Sequence, residues 1–203
     1  MKITGTTSEG NGVGRHEGMA VFIPAAAEGD ELKARIVKVN KNYAFGRIEE
    51  ILKPAPWRQD SDCPQFPKCG GCAFRHIIYK KELEIKEKRV EECLRRIGGF
   101  EEFAVNPIIG AEFPDGYRNK AQLPVGTSPE GGMEAGFYAA RSHRMIPCRD
   151  CKLQPKMFSE IAAKFLQWCG EKGIEPYDEA KGKGRLRHLY LRQAKPSGKI
   201  MVC

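Results

Sequence analysis

The sequence predicts a mixed α+β protein: a small N-terminal β-barrel, then a cysteine-rich loop, then an α+β central domain. Three observations predict it. Short strand-like runs crowd the first 54 residues, three cysteines lie between Cys63 and Cys72, and two later segments repeat apolar residues at helical spacing. The 203 residues hold 34 Lys and Arg against 26 Asp and Glu, with 41% hydrophobic residues, the composition of a globular chain. The longest apolar stretch, Met19 to Ala27, is interrupted by Pro24 and falls short of the roughly 20 residues of a membrane span. A membrane partner is therefore not expected. The N-terminus has no apolar core behind Lys2, so it does not read as a secretory signal, and a cytoplasmic location follows.

Strands are predicted at Met19–Ile23, Ala34–Val39 and Tyr43–Ile51, separated by Gly, Asn and Asp clusters. Gly10-Asn-Gly12-Val-Gly14 has the look of half a dinucleotide fingerprint. It precedes a strand, where the fingerprint must open a helix, so its glycines are assigned to a turn. Pro54-Ala-Pro56 reads as a linker, because two prolines remove two ladder donors and stiffen the chain. It divides residues 1–54 from residues 57–203.

From Tyr79 a helix places Leu83, Val90, Leu94 and Ile97 on one stripe, read as core packing, with Gly98-Gly99 as its stop. Strands follow at Gln122–Val125 and Ala135–Tyr138, around a Ser128–Gly132 turn. Phe158, Ile161, Ala162, Phe165, Leu166 and Cys169 then recur at helical spacing, which predicts a second helix with Cys169 as a buried structural thiol. Leu186–Arg192 and Ile200–Val202 read as two strands about a Lys195–Gly198 turn. Because the chain stops at Cys203 inside the second strand of this hairpin, leaving its partner's edge unpaired, it reads as cut short.

Eight cysteines in a reducing compartment point to metal or redox chemistry rather than disulfides. Cys63, Cys69 and Cys72 lie on a loop too rich in Pro and Gly for regular structure, and converging thiolates need a metal to offset their repulsion. Gly70 and Gly71 let the backbone pass close to a bulky cluster. Cys148 and Cys151 both offer a fourth ligand. Spacing leaves three readings open: an iron-sulfur cluster, zinc held by the pairs Cys69/Cys72 and Cys148/Cys151, or a redox Cys69/Cys72 pair, for which no thioredoxin-like βαβ pattern is present. Charge is uneven. From Lys181 onward there are seven basic residues and no acidic one, which fits a polyanion partner or a solvated face.

The run Cys63 to Cys72 with His76, Tyr79, Leu83 and Arg95-Arg-Ile-Gly-Gly99 resembles the iron-sulfur segment of the RNA (uracil-5-)-methyltransferases of the 23S rRNA type. Gly12-Val-Gly14, Gly18, Val21-Phe-Ile-Pro24, Gly29-Asp30 and Tyr43-Ala44 resemble the OB-like TRAM domain of those enzymes. Tyr117-Arg-Asn-Lys120, Gly136-Phe-Tyr138, Cys151-Lys-Leu-Gln154 and Arg187-His188 also fall where that family has similar motifs. The resemblance implies a 4Fe-4S cluster on Cys63, Cys69, Cys72 and Cys151, with Cys148 an extra residue. It further implies RNA binding by the TRAM segment, a 23S rRNA substrate, and methyl transfer from S-adenosylmethionine to uracil C5 by a cysteine and a carboxylate in a C-terminal Rossmann-like domain.

No Gly-rich strand-to-helix turn follows residue 107, and no cysteine sits in the catalytic motif. That domain is therefore read as absent, supplied by a separate or continuing chain, and this chain as inactive alone. Tyr117, Arg118, Lys120, Arg185, Arg187 and His188 are the RNA-contact candidates, since RNA is held by aromatic stacking and phosphate contacts. The alternative is a zinc-ribbon RNA-binding protein without enzymatic activity.

Overall fold

The computed structural model describes residues 1–203, which form two compact units. The first comprises Met1–Pro67 with Cys72–Ala111, and the second Lys68–Gly71 with Glu112–Cys203. Pro54-Ala-Pro56 lies within the first of these units. The Ala55 amide donates to Asp30 Oδ1, and Ala55 is buried in a cluster with Ala27 and Ile77, flanked by Trp57, Phe74 and Ile85. Pro54 and Pro56 on either side of Ala55 are exposed.

The first unit contains strands β1 (Ile3–Thr6), β2 (Asn11–His16), β3 (Met19–Pro24), β4 (Glu31–Val39) and β5 (Tyr43–Lys53), and helix α1 (Tyr79–Arg96). The sheet order is β1-β2-β3-β5-β4, antiparallel except for β3 beside β5. Glu17 and Gly18, both at positive φ, join β2 to β3 as the two-residue turn a right-twisted hairpin favours. Alternation buries Val21, Ile23, Leu32 and Ala44 on one face with Ile3 and Ala26.

The expected barrel is not closed. The edges β1 and β4 meet only at an isolated Lys2–Glu31 bridge. Of the three glycines assigned to a turn, Gly10 does serve one, at positive φ with its amide on the Thr7 carbonyl at 3.0 Å, whereas Gly12 and Gly14 build β2. A Cβ at Gly12 would lie 2.6 Å from the Ala26 carbonyl oxygen, so the strand passes where no side chain fits. Helix α1 forms where expected, but its stripe is not core: the helix has no buried residue, and Val90 and Ile97 are exposed. On one flank the chain runs back along it, the Ala111 amide donating to the Tyr79 hydroxyl at 2.8 Å.

The second unit contains β6 (Lys120–Thr127), β7 (Met133–Tyr138), β8 (Met145–Pro147), α2 (Lys156–Glu171), β9 (His188–Gln193) and β10 (Ile200–Val202). They form an antiparallel sheet in the order β10-β9-β6-β7-β8. Helix α2 packs Phe158 and Ala162 onto Ala121, Leu123, Val125, Ala135, Leu189 and Leu191, and covers one face. Cys169 is buried in this helix as expected, and burial pushes its thiol pKa up. β10 pairs with β9 as the second strand of a hairpin, Cys203 and Tyr190 exchanging both backbone hydrogen bonds at 2.9 and 2.8 Å, and β10 is an edge of the sheet. No helix is long and apolar enough to cross a membrane.

Candidate nucleic-acid interface and cysteine loop

None of the eight cysteines is in a disulfide. Cys63 and Cys72 belong to the first unit, Cys69, Cys148 and Cys151 to the second. In the first unit the loop turns on a bond from the Phe66 amide to the Cys63 carbonyl, and the Phe66 ring stacks on His76 at 5.6 Å. His76 is buried, and desolvation, followed by the nearby Arg58 charge, depresses its pKa to about 4.

In the second unit the Gly70 amide donates to the Tyr138 carbonyl at 3.2 Å, and a Cβ on Gly70 would lie 2.8 Å from the Ala140 nitrogen. Gly70 is required by that backbone approach, which the sequence had assigned to a cluster. The Gly71 amide donates to Cys69 Sγ at 3.4 Å, and the Arg118 guanidinium to the Gly71 carbonyl at 3.5 Å. The Cys151 thiol is lowered to about 6 by its hydrogen bond with Cys148, with further help from the Leu153 amide and the Arg118 charge, against the cost of burial. No three His, Cys, Asp or Glu side chains converge as a metal-ligand set. The fold also has no redox βαβ unit, since its one parallel strand pair, β3 and β5, has no helix between.

All six RNA-contact candidates lie in the second unit. Tyr117 is exposed just before β6. Arg118 is half-buried, its amide on the Leu153 carbonyl at 3.0 Å and its side chain on the cysteine loop. Lys120 and His188 stand on the sheet face opposite α2, where the neighbours in register alternate with the buried Ala121, Leu123, Leu189 and Leu191. Arg185 and Arg187 belong instead to the segment before β9. Arg187 lies 3.9 Å over the Tyr177 ring and donates to Glu179 at 3.0 Å, while Arg185 remains exposed. The structure thus joins Lys120 with His188 and adds two residues that sequence reasoning missed, Tyr190 and Arg192, on the same face. The alternation along Leu186–Arg192 carried that signal. The first unit presents its own aromatic cluster, with Phe22, Tyr43 and Phe45 centroids 5.5 to 5.9 Å apart.

Comparison with known proteins gives this geometry a context. Residues 1–48 match the TRAM domain. The chain is 44% identical over 196 residues to a protein of Halalkalibacterium halodurans named as an uncharacterized RNA methyltransferase, a match covering 97% of this chain and 43% of that one. A similarly named protein of Synechocystis is 36% identical over 202 residues, covering 100% of this chain and 44% of the relative. Among solved structures, the Pyrococcus abyssi tRNA (uracil-54, C5)-methyltransferase in complex with S-adenosyl-L-homocysteine superposes with a TM-score of 0.70 at 25% identity, over 99% of this chain and 44% of that one. These matches leave the zinc-ribbon alternative without support, and because they span under half of each relative, the absence of a Rossmann-like domain is not a property they assign to the protein. The chain carries a TRAM domain over residues 1–48 and is homologous, along essentially its whole length, to proteins named as RNA methyltransferases, of which it spans somewhat under half.

Proposed function

We propose that this chain binds RNA within an S-adenosylmethionine-dependent RNA (uracil-C5) methyltransferase acting on 23S ribosomal RNA, and that Cys63, Cys69, Cys72 and Cys151 hold a 4Fe-4S cluster. The homology to RNA methyltransferases over 97 to 100% of the chain carries this reading. The S-adenosyl-L-homocysteine in the structural neighbour is what remains of S-adenosylmethionine after methyl transfer, which supports that donor. Addition of a thiolate to uracil C6 would activate C5 to take the methyl group from the sulfonium, and a base would then remove the C5 proton as the C6–S bond breaks, restoring the ring double bond and the thiolate. None of the eight cysteines here is assigned that thiolate. This chain's share is to hold RNA. Lys120, Arg185, Arg187 and His188 face phosphates, Tyr117 offers a ring to a base, and Arg118 couples the RNA side to the cysteine loop.

The donor set suits a cluster in kind. The four thiols are in no disulfide and half-buried, Cys151 favours its thiolate, and an amide already points at the Cys69 sulfur. When bound, the cluster would tie the loop to the Cys151 turn and couple metal binding to folding. Protein purified without oxygen should therefore contain iron and sulfide, with absorbance near about 400 nm. Cys63→Ser, Cys69→Ser, Cys72→Ser and Cys151→Ser should each lose it, and Cys148→Ser should keep it. A colourless wild-type protein, with or without zinc, would remove the cluster from the account.

RNA affinity should fall with salt, with a slope of log affinity against log salt of roughly −2 if two or three phosphates are engaged. Neutralising Lys181, Lys183, Arg185 and Arg187 should weaken binding about equally across RNA sequences. Unchanged affinity in that variant, measured by fluorescence anisotropy, would make the segment a solvated face only.

A further inference from the structure

We infer that the open face of the second sheet is a track for single-stranded RNA, with Tyr190 as its stacking platform and Lys120 and Arg192 as its phosphate clamps. The inference rests on the RNA-binding reading above and places a specific contact within it. Helix α2 covers one face of the sheet. On the other, β6 and β9 set Lys120 directly opposite Arg192 and Gln122 opposite Tyr190.

Two cations directly opposite on one face repel, since facing residues of an antiparallel pair lie about 5 Å apart. Neither makes an ion pair, and the Lys120 ammonium stands 5.8 Å from the Tyr190 ring centroid. Arg35 and Arg47 face each other similarly in the first unit, but there Glu49 pairs with Arg35. The pair on the second sheet has no such carboxylate and calls for an anion from outside.

A peptide carboxylate would satisfy the charge but would leave the ring without a role. A nucleotide uses both: phosphates meet the two cations, a base lies on the Tyr190 face, and the Gln122 amide supplies a donor and an acceptor to a base edge. Pro124 is buried next along β6 and bounds the open stretch, while Met201 on β10 flanks Arg192. An extended strand laid across three β-strands suits this surface, whereas a duplex would hide the base faces that the ring needs.

The test uses the 203-residue chain with a labelled oligouridine and a duplex RNA of equal length, read by anisotropy. Tyr190→Ala should weaken oligouridine binding about tenfold, while Tyr190→Phe keeps wild-type affinity. The double variant Lys120→Gln/Arg192→Gln should make the salt slope shallower by about 1.4. Should the variants fail to fold, photo-crosslinking of 4-thiouridine RNA to the wild-type chain should mark β6 and β9. If the wild-type chain binds no RNA, the function proposed above fails with it. If it binds but Tyr190→Ala matches wild type, or the crosslinks fall outside β6 and β9, the track alone is overturned. Equal competition by polyglutamate and RNA, or self-association lost in the double variant, would likewise replace the RNA with an acidic peptide or a second copy.

Discussion

Asp30→Ala is expected to destabilise the chain by about 4 kcal/mol, the cost of stranding a buried charge. The Asp30 side chain is fully buried. It accepts hydrogen bonds from the Ala27 amide at 2.8 Å and the Ala55 amide at 2.9 Å, and pairs with Arg58, itself only 15% exposed. Burial opposes ionisation of Asp30, yet the Arg58 hydrogen bonds and the two amides outweigh it and hold the pKa below the usual carboxylate value. Removing the carboxylate leaves the Arg58 guanidinium without its counter-charge and two amides unpaired. The Arg58 side chain also donates to the Ala25 carbonyl at 2.9 Å, so it stays in place and cannot swing out to water without breaking a second bond. Urea denaturation should show the loss, and Asp30→Ala/Arg58→Ala should cost less than the sum of the two single variants. A loss under about 1 kcal/mol would mean that Asp30 is only incidentally buried.

Stability should fall as pH drops from about 6.5 to about 4, and His76 should account for about 3 kcal/mol of that fall. The sign follows from the direction of its shift. The folded chain holds His76 neutral down to about 4, whereas the unfolded chain takes up the proton near 6.5. Between those values the unfolded state binds more protons, so acid favours unfolding. Asp30 adds to the loss from the ordinary carboxylate range downward, because its pKa in the folded chain is lowered and the unfolded carboxyl takes up its proton first. His76→Gln should flatten the stability profile between pH 4 and 6.5, whatever it does to stability at neutral pH. A wild-type midpoint of urea unfolding unchanged across that window would show that His76 is protonated without penalty.

Side chains made part of this fold legible and could not reveal the rest. Met19–Ile23, Ala34–Val39 and Tyr43–Ile51 are short runs rich in strand-forming residues between Gly, Asn and Asp clusters, and β3, β4 and β5 form there. Strand β2 is hidden because Gly12 and Gly14 have no side chain with which to mark a face. Helix α1 was visible from its spacing, but whether a stripe is covered depends on what the chain brings to it, and here Val90 and Ile97 stay exposed. Asp30 and Arg58 stand 28 residues apart, so nothing local ties them together. Among the RNA candidates, charge pointed to Lys120 and Arg187, yet only strand register separates Lys120 on the open sheet face from Arg187 held over Tyr177.

The most direct test is nucleoside mass spectrometry of 23S ribosomal RNA and of transfer RNA, purified separately from cells with and without the gene. The account predicts that 5-methyluridine is lost from 23S RNA, is unchanged in transfer RNA, and returns when the intact gene is restored. Loss from transfer RNA with 23S RNA unaltered would contradict the proposed substrate, and unaltered 5-methyluridine in both would contradict uracil methylation itself.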